Sequence, residues 1–272
     1  MQLTRYEQTA APQLCALLNG DRYSFSVRRN ILGGVFGPVS KIITDHARLI
    51  LCYTCPPFPG WVWLPADADE QEIARAWALI RRELPYEQGY RVNMRVEMAQ
   101  SILRMPGAEG LHVQMQIDAY ACAALVPPDA LAQGDYRAVG MEFLDEAAAW
   151  LYAMKQETGL DPMPLDSCRA EMQDFIARKR LFVWRLEDGE TVAMCAVTEE
   201  DGMGYLGHVY TPVQHRRRGY AQSLVHHVTR AMLAQGMEPA LCVLSSNEPA
   251  AACYRKLGYA LQGSFCTVGS KA

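Results

Sequence analysis

The stretch that decides the fold is residues 205–221, which read YLGHVYTPVQHRRRGYA. Its first part, 205–210, is an apolar run typical of a buried strand. A basic turn containing one glycine follows at 214–219, and from Ala221 onward apolar residues recur at helical spacing. The first N–H groups of a helix lack intrahelical partners, and the helix dipole makes that end positive. This strand–turn–helix order therefore predicts a site for an anion such as a phosphate.

The residues of the turn suit a bulky phosphate. Gly219 has no Cβ, so the backbone can approach an anion closely, and Ala221 is almost as small. The three arginines Arg216, Arg217 and Arg218 supply positive charge and forked donors that match phosphate oxygens. Arginines alone would more often form a solvated face or a nucleic-acid patch. The adjacent glycine is what favours a cofactor phosphate.

A second signature lies downstream at residues 247–259, which read NEPAAACYRKLGY. The helix after the turn is expected to end at Gly236, and residues 240–244 form a short apolar run typical of a buried strand. Asn247 can then cap a further helix that ends at Gly258. One helix and one strand therefore separate the phosphate turn from this capped helix.

The two motifs together resemble those of the GNAT superfamily of N-acetyltransferases, and residues 209–221 are similar to a bacterial two-domain subgroup. The family's cofactor motif, Gln/Arg-x-x-Gly-x-Gly/Ala, is matched by Arg216, Gly219 and Ala221. The later signature, Asn-x-x-Ala and then Tyr-x-Lys-x-Gly-aromatic, is matched by Asn247, Ala250, Tyr254, Lys256, Gly258 and Tyr259. The resemblance is clear over residues 181–264 and extends upstream to residue 135.

The resemblance implies an α/β (α+β) fold with a central mixed, mostly antiparallel sheet. This sheet is expected to be splayed between its fourth and fifth strands, here 204–210 and 240–244. Local patterns agree with the family's order of elements, β-α-α-β-β-β-α-β-α-β. They predict a strand at 136–139, a helix at 142–157, a helix at 167–178 capped by Asp166 or Ser167, and a hairpin of 181–186 with 191–197.

A linker is predicted at 127–135, where two prolines and a glycine precede a new strand. We therefore expect an N-terminal α+β domain over 1–128 and a catalytic GNAT domain over 135–272. In the first half the patterns predict helix 69–84 with a capping box at its start, and strands at 49–51, 61–64 and 113–118. Our hypothesis is a degenerate GNAT-like half that has lost the phosphate turn and shapes the acceptor pocket.

The resemblance further implies that acetyl-CoA is the acyl donor. The expected cofactor-binding residues lie at the strand end, in the turn and at the second cap: Val209, Tyr210, Thr211, Arg216, Arg217, Arg218, Gly219, Tyr220, Ala221, Gln222 and Asn247. Amides across 216–222 would hold the pyrophosphate, and exposed backbone at Val209 and Thr211 would pair with the pantetheine arm. The Val209 amide would polarise the thioester carbonyl. Tyr254 has the family position of a catalytic hydroxyl that serves the departing thiolate.

The sequence does not assign the group that takes a proton from the acceptor. Candidates are His208, Glu199, Glu200, Asp201 or an ordered water, and direct attack by an already neutral amine is also open. Each candidate has an ordinary structural explanation as well. His208 could simply be a sheet residue whose hydrogen bonds are made within the protein, and the acidic residues are typical of a turn exposed to solvent.

Composition narrows the possible partners. The chain has 272 residues, 50% of them hydrophobic, with no apolar run of about 20 residues and no apolar N-terminal segment, so we expect a cytoplasmic enzyme without a membrane partner. The formal net charge of −4 argues against nucleic acid and fits a cationic acceptor. Nine cysteines suggest reduced thiols, and Cys52-x-x-Cys55 lacks the further ligands of a zinc site, so no metal is expected.

Two classes of function are open on the sequence alone. The first is an acetyl-CoA-dependent N-acetyltransferase that acts on a primary amine of a small molecule by direct attack on the thioester. The alternative is a catalytically silent CoA-binding sensor or interaction module. Within the enzyme class, a protein amine is a further possible acceptor. The oligomeric state is not readable from these patterns.

Overall fold

A computed structural model of the chain describes residues 3–6, 12–21, 32, 41–53, 59–84, 89, 91–159 and 163–270. The chain forms two compact units, both discontinuous in sequence. The first comprises Met1–Ala119, Val243–Ser246 and Gln262–Ala272, and the second comprises Tyr120–Cys242 and Asn247–Leu261. The division of the chain into domains 1–128 and 135–272 stays a prediction. Cys55 of the Cys-x-x-Cys pair lies outside the described residues, and Cys52 is a buried free thiol.

The first unit is a sheet with helices. Its strands are β1 (Thr4–Tyr6), β2 (Lys41–Thr44), β3 (Ile50–Tyr53), β4 (Gly60–Trp63), β5 (Arg91–Arg95) and most of β6 (Leu111–Ala121), and its helices are α1 (Pro12–Leu17), α2 (Glu70–Glu83) and α3 (Val96–Ile102). The strand order is β1-β2-β3-β4-β5-β12-β6, where β12 (Ala260–Ser270) is the last strand of the chain. Strands β1 to β4 are antiparallel, and β5 pairs with β4 in parallel.

Helix α2 confirms the helix predicted at 69–84. Asp69 is the N-cap, its side chain accepts from the Glu72 amide, and the Glu72 side chain accepts from the Asp69 amide. This reciprocal capping box satisfies two of the orphan donors at the helix start. The buried face of the helix includes Trp77 and Ile80, which belong to the core of the first unit.

The second unit has the element order that the sequence predicts. It contains β7 (Asp135–Ala138), α4 (Leu144–Thr158), α5 (Leu165–Ala177), β8 (Leu181–Arg185), β9 (Thr191–Glu200), β10 (Met203–Tyr210), α6 (Tyr220–Ala234), β11 (Glu238–Leu244) and α7 (Glu248–Lys256). The strand order is β11-β10-β9-β8-β7, with β10 and β11 parallel and the other pairs antiparallel. Helices α4 and α5 pack together on a core that includes Leu151, Met172 and Met194.

One predicted cap is wrong. Helix α5 begins at Leu165 after Pro164, which is the N-cap residue and makes no side-chain cap bond. Asp166 and Ser167 therefore lie inside the first turn instead of capping it. The fixed φ of proline, −60° here, ends the preceding loop two or three residues earlier than the polar residues suggest.

The two units repeat one order of elements. Each has three antiparallel strands, then a helix, then a strand parallel to the third: β2, β3, β4, α2 and β5 in the first unit, and β8, β9, β10, α6 and β11 in the second. A further helix and strand follow in each half of the chain. This shared order supports the hypothesis that the first half is a degenerate GNAT-like unit.

The predicted linker 127–135 and the residues just before it are held by hydrogen bonds inside the second unit. The amide of Val126 donates to the Leu257 carbonyl at 3.0 Å, and the amide of Ala132 donates to Ser223 Oγ at 2.9 Å. Gly258 follows α7 with φ +92°, and a Cβ on it would lie 2.3 Å from the carbonyl oxygen of Ala124. Close approach of two backbones thus requires glycine there as well as the left-handed conformation.

We expect Gly258→Ala to lower the stability of the protein well beyond the cost of a left-handed alanine, which is about 1–2 kcal/mol. The added Cβ must displace the 122–126 segment. Gly189→Ala is the matched control, because Gly189 has φ +91° and no atom within 4 Å of its added Cβ. Thermal unfolding of both variants measures the difference. Equal melting temperatures would contradict the close approach at Gly258.

Candidate functional site

Strand β10 carries a β-bulge near its C-terminal end. Gly207 pairs with Ala196 and Tyr210 pairs with Met194, so β10 has one more residue than β9 between these two pairs. His208 lies in this bulge with φ +49°, a left-handed conformation that is uncommon for any residue other than glycine. The bulge interrupts the regular ladder and turns backbone groups of β10 away from β9.

Strands β10 and β11 separate beside this bulge. Their parallel ladder runs from the Met203–Glu238 pair to the Leu206–Leu241 pair, and β10 continues to Tyr210. The splay predicted between these strands is thereby confirmed. A crevice at the carboxyl ends of parallel strands is a common place for a ligand in α/β proteins.

The turn between β10 and α6 leaves the helix start uncapped. Gly219 is the N-cap residue with φ +80°, and its position has no side-chain cap hydrogen bond. The amide of Ser223 donates to the Gly219 carbonyl at 2.9 Å, which is the first bond of the helix. The preceding amides, those of Tyr220, Ala221 and Gln222, have no carbonyl one turn earlier within the helix. They form the positive end of a 15-residue helix.

Space is open at Gly219. The nearest atom to an added Cβ would be the Cβ of Ala132, at 3.9 Å. The described part of the protein therefore does not crowd this position, and the left-handed φ is what favours glycine there. Arg217, with φ +65°, and Arg218 are exposed beside it.

The Arg216 side chain makes hydrogen bonds within the protein. Its Nε donates to the Thr211 carbonyl at 2.8 Å, and its Nη2 donates to Glu157 Oε2 at 2.6 Å. The guanidinium also lies 5.5 Å from the centroid of the Tyr210 ring, and the Tyr210 hydroxyl donates to Glu157 Oε1 at 2.9 Å. Arg216 thus helps to hold the turn in shape, although it is exposed, as are Arg217 and Arg218 beside it.

Sequence reasoning missed Glu157, which joins α4 to the turn. An acidic residue near the end of a helix gives no local signal of such a contact. Burial, followed by the bond to Glu157, raises the pKa of the Tyr210 hydroxyl. The phenol is therefore held as a donor to this carboxylate at neutral pH.

Thr211 and Asn247, two of the predicted cofactor-binding residues, have different surroundings. The Thr211 hydroxyl is buried and has no hydrogen-bond partner among the described residues. Asn247 caps α7, since its Oδ1 accepts from the Ala250 amide at 3.3 Å, and it is exposed. A buried hydroxyl without a partner costs free energy, so a ligand atom that bonds to Thr211 would stabilise the site.

Tyr254 is buried in the second unit, with 7% of its surface exposed. Its ring centroid lies 6.0 Å from that of Tyr259. Burial is the main cause that raises the pKa of the Tyr254 hydroxyl above its ordinary value. The hydroxyl is therefore protonated at neutral pH. It is better suited to donate a hydrogen bond than to give up its proton.

A histidine–glutamate pair lies at the bulge, and its second member was not predicted. His208 Nε2 lies 2.8 Å from Oε1 of Glu171, a residue of α5. The Phe175 ring meets the imidazole edge-on, with centroids 5.5 Å apart. Glu171 and Phe175 share a helix face because they are four residues apart.

An acidic cavity of about 430 Å³ lies beside the turn in the second unit. Its lining combines three carboxylates, two aromatic rings and two basic side chains: Glu142, Glu146, Glu190, Phe143, Trp150, Arg185 and His215. Burial raises the pKa of the Glu146 carboxyl, opposed by Arg185 and reinforced by Glu190. The cavity is suited to a small cation and not to a phosphate.

Over the ranges that the structure describes, no three His, Cys, Asp or Glu side chains converge to hold a metal ion. None of the described helices combines the length and apolar character needed to cross a membrane.

Comparisons with known proteins agree with this geometry. Residues 185–268 match the family described as FR47-like protein. No curated protein matches the sequence significantly. The solved structures with a similar fold include a GCN5-related N-acetyltransferase from Sphaerobacter thermophilus, with 17% identity and a TM-score of 0.67 over 98% of this chain and 94% of that one.

Two more solved structures are similar over nearly the whole chain. An acetyltransferase of the GNAT family from Colwellia psychrerythraea has 16% identity and a TM-score of 0.61 over 100% of both chains. A Drosophila protein has 16% identity and a TM-score of 0.60 over 95% of this chain and 89% of that one. At these identities the likeness establishes the fold. Residues 185–268 thus match the FR47-like family, and the chain as a whole has the fold of these GNAT acetyltransferase structures.

Proposed function

We propose that this protein transfers the acetyl group of acetyl-CoA to a primary amine of a small molecule. The observation that carries the proposal is the pairing of a bulged, splayed strand end at 207–210 with an uncapped helix start at Gly219. The first offers backbone groups to an extended arm, and the second offers amides to a phosphate.

The residues present fit the CoA part of the donor. The amides at the start of α6 would hold the pyrophosphate, with Arg217 and Arg218 adding charge. Open space at Gly219 admits a bulky anion, and the unpartnered Thr211 hydroxyl would gain a hydrogen bond. Asn247 would contact the arm while its side chain caps α7.

The chemistry supplied by bound acetyl-CoA is an activated thioester. The protein's own part is to orient that carbonyl and to stabilise the charges that develop. The Val209 amide, next to the bulge, would donate to the carbonyl oxygen as negative charge forms on it. The Tyr254 hydroxyl, protonated because its pKa is raised, would donate a hydrogen bond to the departing sulfur.

The acceptor is a cationic amine of small size. Trp150 lines the 430 Å³ acidic cavity, and its ring centroid lies 6.1 Å from that of Tyr210, the residue after Val209. The cavity therefore adjoins the strand that would present the thioester. Carboxylates and an aromatic wall together favour an organic ammonium.

Calorimetric titration with acetyl-CoA and with CoA, followed by a thiol-release assay across an amine library, tests the proposal. Micromolar binding with release that depends on one amine is the expected result. Binding without release by any amine would favour a CoA sensor. Release only with peptides would favour a protein acceptor, and no binding would refute the donor site.

We expect Gly219→Glu to weaken CoA binding at least about tenfold, or about 1.4 kcal/mol. The side chain would place bulk and negative charge where the pyrophosphate is proposed to lie. Gly202→Glu is the matched control, because Gly202 has φ +79° and nothing within 4 Å of its added Cβ. Calorimetry that finds equal affinities in the two variants would disprove the phosphate site.

Tyr254→Phe should lower kcat roughly tenfold to a hundredfold, the size of one lost hydrogen bond to a charged group. CoA affinity should stay unchanged. Tyr259→Phe is the control, because that hydroxyl is also buried but lies 2.7 Å from the Thr229 hydroxyl. We expect the control to lose stability and keep its kcat. An unchanged kcat in Tyr254→Phe would remove Tyr254 from the chemistry.

Glu146→Gln should raise KM for the amine severalfold, because it removes one of the charges that would hold an ammonium. KM for acetyl-CoA should not change. Glu187→Gln, in the exposed turn nearby, is the control. Steady-state kinetics with both substrates varied separates the two constants, and an unaltered amine KM would place the acceptor elsewhere.

A further inference from the structure

We propose that His208 takes the proton from the acceptor ammonium and that Glu171 is its positioning residue. This inference rests on the proposed function and adds the group that the sequence could not assign. Three observations carry it: the place of His208 in the bulge, its pairing with Glu171, and the distance of the rival carboxylates.

His208 occupies the most irregular point of β10. It is the residue immediately before Val209, whose amide is proposed to face the thioester carbonyl, and it has φ +49°. A left-handed residue other than glycine costs of order 1–2 kcal/mol, so the surrounding structure must impose it. The bulge places the imidazole on the side of α5, where Glu171 and Phe175 hold it.

The pairing with Glu171 determines which nitrogen can act as the base. An ionised carboxylate only accepts hydrogen bonds, so Nε2, at 2.8 Å from it, carries the hydrogen of the neutral imidazole. Nδ1 then has the free lone pair. When Nδ1 takes a proton, Nε2 keeps its hydrogen bond to Glu171, which holds the ring in place.

The surroundings keep Glu171 ionised. The hydrogen bond from His208 is the largest cause that lowers the pKa of the Glu171 carboxyl, against the opposing effect of burial. Lys155 of α4 adds a favourable charge, and the Cys168 thiol lies on the same helix as Glu171. On β9, the residues opposite the two sides of the bulge are apolar: Ala196 pairs with Gly207, and Met194 pairs with Tyr210. Both side chains of the dyad are partly accessible, with 18% of His208 and 31% of Glu171 exposed.

The rival carboxylates lie toward the other end of the strand. Glu200 pairs with Met203 and Glu199 pairs with Gly204, at the start of β10. At about 3.3 Å per residue, the five residues from Gly204 to Val209 span roughly 16 Å, and Asp201 lies farther away. Glu199 is also bonded to Arg180. Of the side chains considered from the sequence, His208 is the one beside the bulge.

Acyl transfer to the amine needs no further reactant when His208 is the base. The ammonium gives one proton to His208 Nδ1, and the neutral nitrogen then forms a bond to the thioester carbon. The C–S bond breaks with its electron pair on sulfur. A second proton from the nitrogen converts the thiolate to a thiol, and His208 returns its proton to solvent.

The test is the pH profile of kcat/KM for the amine in wild type, His208→Gln, Glu171→Gln and Glu171→Asp. His208→Gln should lose on the order of a hundredfold or more near neutral pH, the usual contribution of a general base, and recover as the amine itself deprotonates. Glu171→Gln should lose less and shift the profile, and Glu171→Asp should restore part of the loss. CoA affinity by calorimetry should match wild type in all three.

His46→Gln is the matched control, because His46 is an exposed histidine with φ +62°. Its profile should equal that of wild type. Variants at 208 and 171 that lower the melting temperature but keep the wild-type profile would show a structural pair only and overturn the inference. Wild-type protein that binds CoA but turns over no amine would overturn the proposed function, and this inference with it.

Discussion

The uncapped N-terminus of α6 is the constraint on which the rest of the second unit depends. A helix of 15 residues presents its first amides at Gly219, where no side chain of the helix cap satisfies them. The corresponding helix of the first unit, α2, has the opposite arrangement, since Asp69 and Glu72 close a capping box. A carboxylate that occupies the first amides would repel a phosphate and compete with it. The same order of elements thus yields an uncapped helix start in one unit and a helix capped by its own side chains in the other.

Around that helix start, several polar side chains form hydrogen bonds that hold neighbouring loops in place. Glu157 accepts from both Tyr210 and Arg216, and Arg216 also donates to the Thr211 carbonyl. Ser223, buried on α6, fixes the 122–135 segment through the Ala132 amide. The side chains of Arg217 and Arg218 are exposed beside this cluster. Residues of one motif therefore differ in their surroundings, although they are adjacent in sequence.

The sequence predicts local features of this protein far better than contacts between distant residues. The helix and strand order of the second unit, the capping box at Asp69 and the cap at Asn247 follow from short-range rules of spacing and side-chain chemistry. The splay of β10 from β11 came from a family resemblance. Glu171 and Glu157 could not be predicted, because nothing near them in sequence indicates that His208 or Arg216 lies within hydrogen-bond distance. The cap of α5 was wrong because proline, a weaker signal than aspartate or serine, began the helix.

The position of β12 has a consequence for synthesis of the chain. This strand, Ala260–Ser270, pairs with β5 and lies between β5 and β6 in the sheet of the first unit. An N-terminal fragment that stops near residue 128 would lack it and would expose the pairing edges of β5 and β6, which favours aggregation. On the ribosome the first unit cannot complete its sheet until residues 260–270 emerge, so folding of this unit must wait for β12. The two halves are therefore one unit of biosynthesis, although each has its own set of strands and helices.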